Sequence, residues 1–341
     1  MLLYPGNGVD VFDSILVEKK KIATTVLTAD NFGGEYNKRS HLYFLVLWMV
    51  SIWAMITNFT QALFIKVLGR SENSLAKILW QIGRDENHIS STFVDRFSQF
   101  NHQSKVGAAG WRSLDIFYNY HEKIKPQLNG GFEKFITRHW IEKMQNRQAV
   151  ANRYKIVVNL LVDAFNKFIN QKEIRLVSVA SGSAQAVIAA IKKCQRLNVR
   201  VVLIDTDESA IEKSREDVRM AGLEDTFAFI HGTTKELEKI CQDFHPHIIE
   251  MVGFLDYRPK KKAIQLINRI NKCLLPGGFF LTCNIRKNPE RIFLNWVLLW
   301  PMIYRNKEQF AELLTSGGFS PENINIFYEP FQIHGIGVCK K

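Results

Sequence analysis

Two apolar stretches, joined by a turn of small residues, hold the side chains best placed for chemistry. Residues 176–179 lead into a turn at 180–184 with the sequence Ala-Ser-Gly-Ser-Ala, and residues 201–204 lead into Asp205. We predict two buried strands linked by this turn and a helix. Such a layout places backbone N–H groups and a helix N-terminus beside a carboxylate that can bind ribose hydroxyls. Open α/β sheets bind adenosine-containing cofactors in this way.

Strand-like and helix-like segments alternate through the rest of the C-terminal half. Helical periodicity covers residues 186–197, 209–220, 234–244, 261–274 and 308–316. Short apolar runs cover residues 226–231, 247–252, 279–283, 324–328 and 333–339, and a Leu-Pro-Gly-Gly turn comes before the third of these. Strands that alternate with helices indicate a mostly parallel sheet with both faces covered, and the final strand pair indicates an antiparallel edge.

The order of these features resembles that of class I S-adenosylmethionine-dependent methyltransferases over roughly residues 146–341. The resemblance implies an α/β fold with a Rossmann-like class I methyltransferase sheet, here preceded by a helical N-terminal domain. It also implies S-adenosyl-L-methionine as the cofactor and methyl transfer to a small-molecule or lipid-like acceptor. The chain departs from the family pattern in three places: two glycines of the first loop, an acid of the first strand, and an acid near the adenine, where this chain has Thr233. Ala180 and Ala184 replace glycines of the first loop, and Ser178 replaces an acid often found within the first strand.

The resemblance also implies cofactor-binding roles, residue by residue. Asp205 corresponds to the acid that binds the ribose, and Thr233 corresponds to the adenine-edge position, where the family often has an acid. The cofactor-binding residues implied in this way are Ala180, Ser181, Gly182, Ser183, Asp205, Thr206, Thr233 and Gly253. A dinucleotide is the weaker alternative, because its Gly-x-Gly-x-x-Gly loop requires a glycine where this chain has Gln185.

The helix expected before the first strand could bind the amino-acid end of the cofactor. A carboxylate needs a cation or hydrogen-bond donors, and Arg147, Arg153 and Tyr154 lie in this segment. We therefore count Arg147 and Tyr154 among the cofactor-binding candidates. The alternative is that the arginines pair with acids at the protein surface.

Methyl transfer requires mainly alignment and the exclusion of water, since the sulfonium is already activated. A base within hydrogen-bond reach helps where the nucleophile carries a proton. Asp256 and Tyr257 follow the fourth strand at the carboxyl edge of the sheet, where ligands bind, and Asn284 follows the fifth strand. These three residues are the catalytic candidates. The outer candidates, for which a structural role is the simpler interpretation, are Glu250, Tyr304, Glu329 and His334.

Two other functions stay open at this point. The loop departures allow an altered cofactor pose, in which S-adenosylmethionine would donate its aminocarboxypropyl group or cyclise and release methylthioadenosine. The absence of a strong catalytic constellation allows a cofactor-binding or membrane scaffold without activity.

The composition limits the possible binding partners and the possible cellular compartment. The chain has 341 residues, a formal net charge of +12 and five scattered cysteines without Cys-x-x-Cys spacing. Such cysteines indicate a reducing compartment rather than a disulfide framework or a zinc site, and we predict no metal. A basic chain attracts acidic partners at long range. No RNA-recognition module accompanies the charge, so a nucleic-acid partner is not favoured. The oligomeric state is not predicted.

An uncharged segment at residues 42–65 dominates the N-terminal part. It is long enough to span a bilayer, which takes about 20 apolar residues. On a helix, a narrow small and polar stripe would be formed by Ser51, Ala54, Asn58 and Gln61. The stripe fits a helix with one face on protein and the rest in lipid, and it also fits a helix buried in a bundle. We expect a cytoplasmic protein, and attachment to the inner face of a membrane stays open.

A Gln-Leu-Asn-Gly-Gly breaker at residues 127–131 is the best candidate for a domain boundary. We predict a helical N-terminal region at residues 1–130 and a cofactor-binding methyltransferase domain at 131–341. An aromatic insert at residues 292–304 suits a hydrophobic substrate, a membrane interface or docking onto the N-terminal helices.

Overall fold

The computed structural model describes residues 22–68, 73–128 and 130–341. The strands are β1 (Ala23–Val26), β2 (Ile174–Val179), β3 (Val199–Asp205), β4 (Phe227–His231), β5 (Ile248–Met251), β6 (Phe279–Ile285), β7 (Ile324–Tyr328) and β8 (His334–Lys340). The α-helices are α1 (His41–Val67), α2 (Leu75–Arg84), α3 (Gln99–Val106), α4 (Trp111–Tyr118), α5 (Gly131–Thr137), α6 (Gln145–Lys167), α7 (Gln185–Lys193), α8 (Glu208–Met220), α9 (Leu237–Phe244), α10 (Lys260–Cys273), α11 (Arg291–Trp296) and α12 (Lys307–Ser316).

The chain divides into two compact units. The sheet unit consists of the described residues up to Gly34 together with Asn152–Arg286 and Ile303–Lys341. The helical unit consists of Glu35–Ala151 and Lys287–Met302. The domain boundary at residue 130 stays a prediction.

The sheet unit is built on one eight-stranded sheet with the order β1-β7-β8-β6-β5-β2-β3-β4. Strand β8 runs antiparallel to β6 and β7, and the other neighbours are parallel. The predicted α/β class with a mostly parallel sheet is therefore confirmed. Strand β1 is not predicted, because residues 1–40 show no periodic pattern; residues 1–21 of that segment lie outside the described residues. Since β1 adds to β7, the antiparallel pair is not at the edge.

Two apolar layers cover the sheet, because its central strands are buried on both faces. Side chains alternate between the faces along each strand. In β6, Leu281 packs in the layer that contains Leu161 of α6, and Phe280 packs in the layer that contains Ile267 of α10. This alternation explains why the strands read as nearly continuous apolar runs.

The helical unit combines α1 to α5, α11 and the start of α6. Helix α2 ends at Arg84, and the Asp85 side chain then accepts a hydrogen bond from the backbone of Asn87 and stabilises a turn. Two five-residue π-helical turns, Tyr120–Ile124 and Arg138–Glu142, lie between α4 and α6.

Residues 292–302 of the aromatic insert belong to the helical unit. Phe293 stacks on Trp140 with ring centroids 5.1 Å apart, and Trp300 stacks on Phe117 at 5.9 Å. Of the three interpretations of this segment, packing against the helices is therefore the one confirmed.

Helix α1 packs one narrow face on its own unit and leaves much of its surface exposed. Its buried residues are Tyr43, Leu47, Ser51, Ala54, Asn58 and Ala62. Among the described residues, α1 is the one helix long and apolar enough to cross a membrane, and 28% of its most apolar stretch is buried. The predicted stripe is wrong at Gln61, whose exposed side chain bonds to His88 while Ala62 takes the buried position.

A buried carboxyl group holds the start of α6. Glu290 accepts hydrogen bonds from the backbone N–H groups of Gln145 at 2.8 Å and Asn146 at 2.6 Å, and from the Tyr43 hydroxyl at 3.3 Å. Burial raises the pKa of Glu290 to about 7, although these bonds oppose the shift. The first N–H groups of a helix have no partner within it, so Glu290 satisfies two of them.

Replacing Glu290 with alanine should lower the free energy of unfolding by about 2–5 kcal/mol, because two buried N–H groups lose their acceptor. Urea denaturation of both proteins measures the change. The control is Glu322→Ala, at an exposed position in the sheet unit, which should cost less than about 0.5 kcal/mol. Equal effects of the two substitutions would contradict the capping role of Glu290.

Candidate functional site

The turn after β2 lies at the carboxyl edge of the sheet and has an unusual backbone. Ala180, Gly182 and Ala184 adopt left-handed conformations with φ of 52°, 54° and 53°. Glycine takes this conformation freely, whereas it costs alanine about 1–2 kcal/mol. Backbone strain of this kind persists only where the surrounding structure holds it in place. Ser183 is buried in the same turn.

Asp205, at the end of β3, holds this turn. One of its carboxylate oxygens accepts a hydrogen bond from Gly182 N at 2.8 Å, and the other accepts one from Asp207 N at 2.9 Å. The Ser214 hydroxyl donates to the Gly182 carbonyl at 2.8 Å. The Asp205 side chain is half-buried, and each oxygen can accept a second hydrogen bond. It can therefore fix the turn and bind ligand hydroxyls at the same time.

Hydrogen-bonding groups that could hold a ligand line the same turn. The Ser181 hydroxyl is buried and has no partner within the described residues. No side chain caps α7 at Ala184, and the first turn of a helix offers N–H groups that the helix itself does not use. Such N–H groups favour an anionic ligand group.

A buried carboxyl group on β5 lies directly across from Ser178 on β2. The parallel register pairs Ser178 with Glu250, and the serine hydroxyl donates to Glu250 Oε2. Val252 N donates to Glu250 Oε1 at 3.0 Å. Burial raises the pKa of Glu250 to about 7, while both hydrogen bonds and the charge of Arg153 oppose the shift. The acid missing at Ser178 therefore has a counterpart on the neighbouring strand.

Arg153 of α6 brings a positive charge to this edge of the sheet. Its Nη1 lies 3.6 Å from Cys283 Sγ on β6, and Gly253 N donates to the same sulfur at 3.1 Å. A Cβ built at Gly253 would lie 3.8 Å from the guanidinium, so the backbone passes close to it. Burial raises the pKa of Cys283 to about 12, although Arg153 acts against this shift. The thiol is therefore neutral and is not an activated nucleophile.

His334, at the start of β8, adds a neutral imidazole. Both ring nitrogens are buried, and neither has a hydrogen-bond partner in the part of the chain that the structure describes. Burial and the charge of Arg153 hold the pKa of His334 well below its usual value. A neutral ring has one donor and one acceptor nitrogen, and buried polar atoms of this kind are normally satisfied by water or a ligand.

The predicted catalytic residues Asp256 and Asn284 form a buried network. Asp256 Oδ1 accepts hydrogen bonds from Asn284 Nδ2 at 2.7 Å and from Ile285 N at 2.8 Å, and Arg305 donates to the Asn284 side-chain oxygen. Burial raises the pKa of Asp256, against the effect of its donors. Tyr257 follows in the same short 3-10 turn and is half-buried. These contacts fix the loop after β5, and the catalytic roles stay predictions.

Three of the other cofactor candidates lie in the sheet unit. The Thr206 carbonyl accepts a hydrogen bond from His231 Nε2 at 3.0 Å, and the Thr233 hydroxyl donates to Glu236 at 2.9 Å. Tyr154 is half-buried against the core layer that contains α6.

Arg147 belongs to the helical unit. Its side chain is 1% exposed and donates to both carboxylate oxygens of Glu35, at 2.6 Å and 2.8 Å. Arg147 thus pairs with an acid, as in the alternative that the sequence left open for the arginines of this helix. The structure groups Arg153, and not Arg147, with the polar residues at the carboxyl edge of the sheet.

Sequence reasoning missed the pairing of Ser178 with Glu250 and the position of Cys283. A glutamate inside an apolar strand is a signal for the first, because a buried carboxyl group needs a partner. Cys283 gives no such signal, because a cysteine in a buried strand is common.

The fold and the site together define the class of protein. A mostly parallel sheet with an antiparallel final pair, and a small-residue turn held by the acid of the next strand, match the layout implied for class I methyltransferases. The methyltransferase family described as "Putative methyltransferase" matches residues 61–340, so the chain belongs to this family. The predicted class is therefore confirmed.

Solved structures are similar to this chain at low sequence identity, and the first of those that follow shares its fold. A "possible exported protein" from Bordetella parapertussis is 13% identical with a TM-score of 0.60, covering 89% of this chain and 99% of that chain. A "putative O-methyltransferase" from Nostoc punctiforme is 16% identical with a TM-score of 0.45, covering 74% and 76%. Magnesium protoporphyrin IX methyltransferase from Synechocystis with bound SAM is 10% identical with a TM-score of 0.44, covering 67% and 96%. No curated protein matches the chain.

The free energy of unfolding should fall as the pH rises from about 5 to 7. The pKa of Glu250 is about 7 in the folded protein against an ordinary 4.5, so across this interval the folded state keeps a proton that the unfolded state has released. The expected slope is up to about 1.4 kcal/mol per pH unit for each such group. Glu290 and Glu329 have similarly raised pKa values and contribute their own shares.

The side chain at position 250 stays neutral at every pH in the Glu250→Gln variant. The free energy of unfolding of this variant should therefore depend less steeply on pH than that of the wild type. Denaturation of the wild type and the variant at several pH values measures this dependence, with the exposed Glu224→Gln substitution as the control. Equal slopes for all three proteins would mean that Glu250 is ionised in the folded state.

Proposed function

We propose that this protein transfers the methyl group of S-adenosyl-L-methionine to a small-molecule or lipid-like acceptor. One observation carries the proposal: the Asp205 carboxylate, at the end of a parallel strand, is bonded to the backbone of a left-handed turn at Gly182. Ligands of open α/β sheets bind at this edge. Membership of a methyltransferase family supports the reaction class.

The residues at this edge fit the cofactor. Asp205 has acceptor capacity for ribose hydroxyls, and the partnerless Ser181 hydroxyl and the start of α7 suit the polar amino-acid end. Arg153 adds a cation for the cofactor carboxylate. We infer that Thr206 and Thr233, which follow the next two strands, border the adenine.

When bound, S-adenosyl-L-methionine supplies a methyl group on a positively charged sulfur, which needs little further activation. The protein then has to align the acceptor and exclude water. The network of Asp256, Asn284 and Arg305 keeps the loop after β5 in one conformation. Glu250, with a pKa of about 7, can hold or release a proton near neutral pH.

The alternatives differ from methyl transfer in their by-products. Methyl transfer releases S-adenosylhomocysteine, aminocarboxypropyl transfer or cyclisation releases methylthioadenosine, and an inactive scaffold releases neither. Family membership favours methyl transfer.

Asp205→Ala should weaken S-adenosyl-L-methionine binding by about 10–100-fold, because hydrogen bonds to a charged acceptor contribute about 1.5–3 kcal/mol each. Isothermal titration calorimetry measures the affinity. Asp225→Ala, at an exposed position in the same unit, is the matched control and should bind normally. Circular dichroism checks that the Asp205 variant is folded, because this residue also holds the turn. Unchanged affinity in a folded Asp205 variant would remove the proposed cofactor site.

We also propose that the helical unit attaches to the cytoplasmic face of a membrane. The large apolar side chains exposed on α1 include Leu42, Leu45, Trp48, Met49, Ile56, Phe59, Leu63 and Phe64. Phe93, also exposed, extends this surface beside Trp53, with ring centroids 6.4 Å apart. A helix of 27 residues is about 40 Å long, and the apolar core of a bilayer is about 30 Å thick. Soluble surfaces rarely expose apolar patches of this extent.

Wild-type protein should co-sediment with phosphatidylcholine vesicles, and the double variant Leu45→Glu/Ile56→Glu should bind at least about tenfold more weakly, because charge on this face opposes burial in lipid. The control is Ile169→Glu/Met220→Glu, which places the same charges on exposed apolar positions of the sheet unit. A loss of binding in both variants, or in neither, would argue against α1 as the attachment surface.

A further inference from the structure

A basic cavity lies in the helical unit, next to the N-terminal end of α1. Its volume is about 610 Å³, which is within the range of small-molecule sites. The basic and imidazole side chains that line it are Arg39, His121, Lys134, Arg138, His139 and Lys143, and the acids that line it are Glu35 and Glu142. Arg138, His139 and Glu142 come from one of the π-helical turns.

Both acids already have basic partners. Glu35 accepts two hydrogen bonds from Arg147 and lies 3.1 Å from His121 Nε2. Glu142 accepts hydrogen bonds from Arg138 at 2.9 Å and from Lys125 at 3.1 Å. Neither carboxylate is therefore available to balance the other cations of the cavity.

Three cations of the cavity form no ion pair with an acid within residues 22–68, 73–128 and 130–341, although the charge of Arg39 acts on the buried Glu290 carboxyl. The Arg39 guanidinium donates to the backbone carbonyls of Lys143 at 2.6 Å and Glu142 at 3.5 Å. Lys134 and Lys143 form no ion pair with a described residue. Burial and the charges of Lys143 and Arg39 lower the pKa of His139. An anion would relieve their mutual repulsion.

Phe135 adds an aromatic side chain to the lining of the cavity. Phe135 is 61% exposed, and its ring lies 6.1 Å from His139 and 6.3 Å from the exposed Phe132. Tyr43, in the first turn of α1, lies 5.8 Å from the same His139 ring. The basic cavity therefore borders an exposed aromatic surface and the beginning of the apolar helix.

We infer that this cavity binds the phosphate group of an amphiphile whose apolar part lies against Phe135 and Phe132. Arg39, Lys134 and Lys143 neutralise the anion, and Arg39 can present two N–H groups to a pair of oxygens. The phosphate belongs either to a membrane lipid or to a soluble amphiphilic phosphate ester, and the pattern of binding separates these two sources. The binding requires no methyl transfer, so its test is independent of the proposed reaction.

The test compares three probes: phosphatidylglycerol vesicles, phosphatidylcholine vesicles and inorganic pyrophosphate. Wild-type protein should bind phosphatidylglycerol more tightly than phosphatidylcholine, and salt should weaken the difference. Lys134→Gln/Lys143→Gln should reduce the phosphatidylglycerol affinity by about 25-fold, or about fivefold for each lysine near an anionic surface, and leave phosphatidylcholine binding unchanged. The control is Lys239→Gln/Lys262→Gln, which removes two exposed lysines of the sheet unit.

The source of the anion follows from the pattern of results. Selective loss of phosphatidylglycerol binding in the cavity variant supports a lipid headgroup. Pyrophosphate binding that is lost in the same variant, without a preference between the vesicles, supports the anion site with a soluble phosphate ligand. Equal effects of the cavity and control variants, or no binding of either anionic probe, would overturn the inference.

Discussion

The hydrogen bond from Gly182 N to the Asp205 carboxylate is the interaction on which the candidate active site depends. It joins the turn after β2 to the end of β3, so the small-residue turn and the acid occupy one edge of the sheet. The same bond holds a backbone that runs through two left-handed alanines, a conformation that alanine does not favour by itself. A carboxylate that both supports the turn and keeps acceptor capacity accounts for alanine at two positions where the family resemblance implies glycine.

The second feature of the site is the position of its buried carboxyl group, which lies on β5 and not on β2. The first strand has Ser178 where the family often has an acid, and the opposing β5 residue, Glu250, supplies a carboxyl group at the same level of the sheet. Arg153 lies close enough to act on the pKa of Glu250, Asp256 and His334. Arg153 acts on all three groups, so replacing it changes the charge state of the site as well as its shape.

The helical unit has two surfaces of different chemistry. The outside of α1 is apolar, and the cavity beside its first turn is basic. An apolar face beside cations that form no ion pair with a described residue is complementary to a molecule with an anionic end and an apolar body, and a membrane presents many such molecules. Some of the basic residues that make up the +12 net charge therefore line one cavity. The net charge alone indicates only a long-range attraction to acidic partners.

The sequence by itself determined the α/β class, the order of most strands in the chain, the turn at residues 180–184 and the acid at Asp205, because these depend on local periodicity and on residues close together in the chain. The tertiary structure alone decided which side chains meet. Arg147 and Arg153 are six positions apart on one helix, yet Arg147 pairs with Glu35 and Arg153 reaches Cys283. Strand register placed Glu250 opposite Ser178, and packing chose the α1 face that is buried. These outcomes depend on contacts between residues distant in the chain, and local pattern carries no information about such contacts.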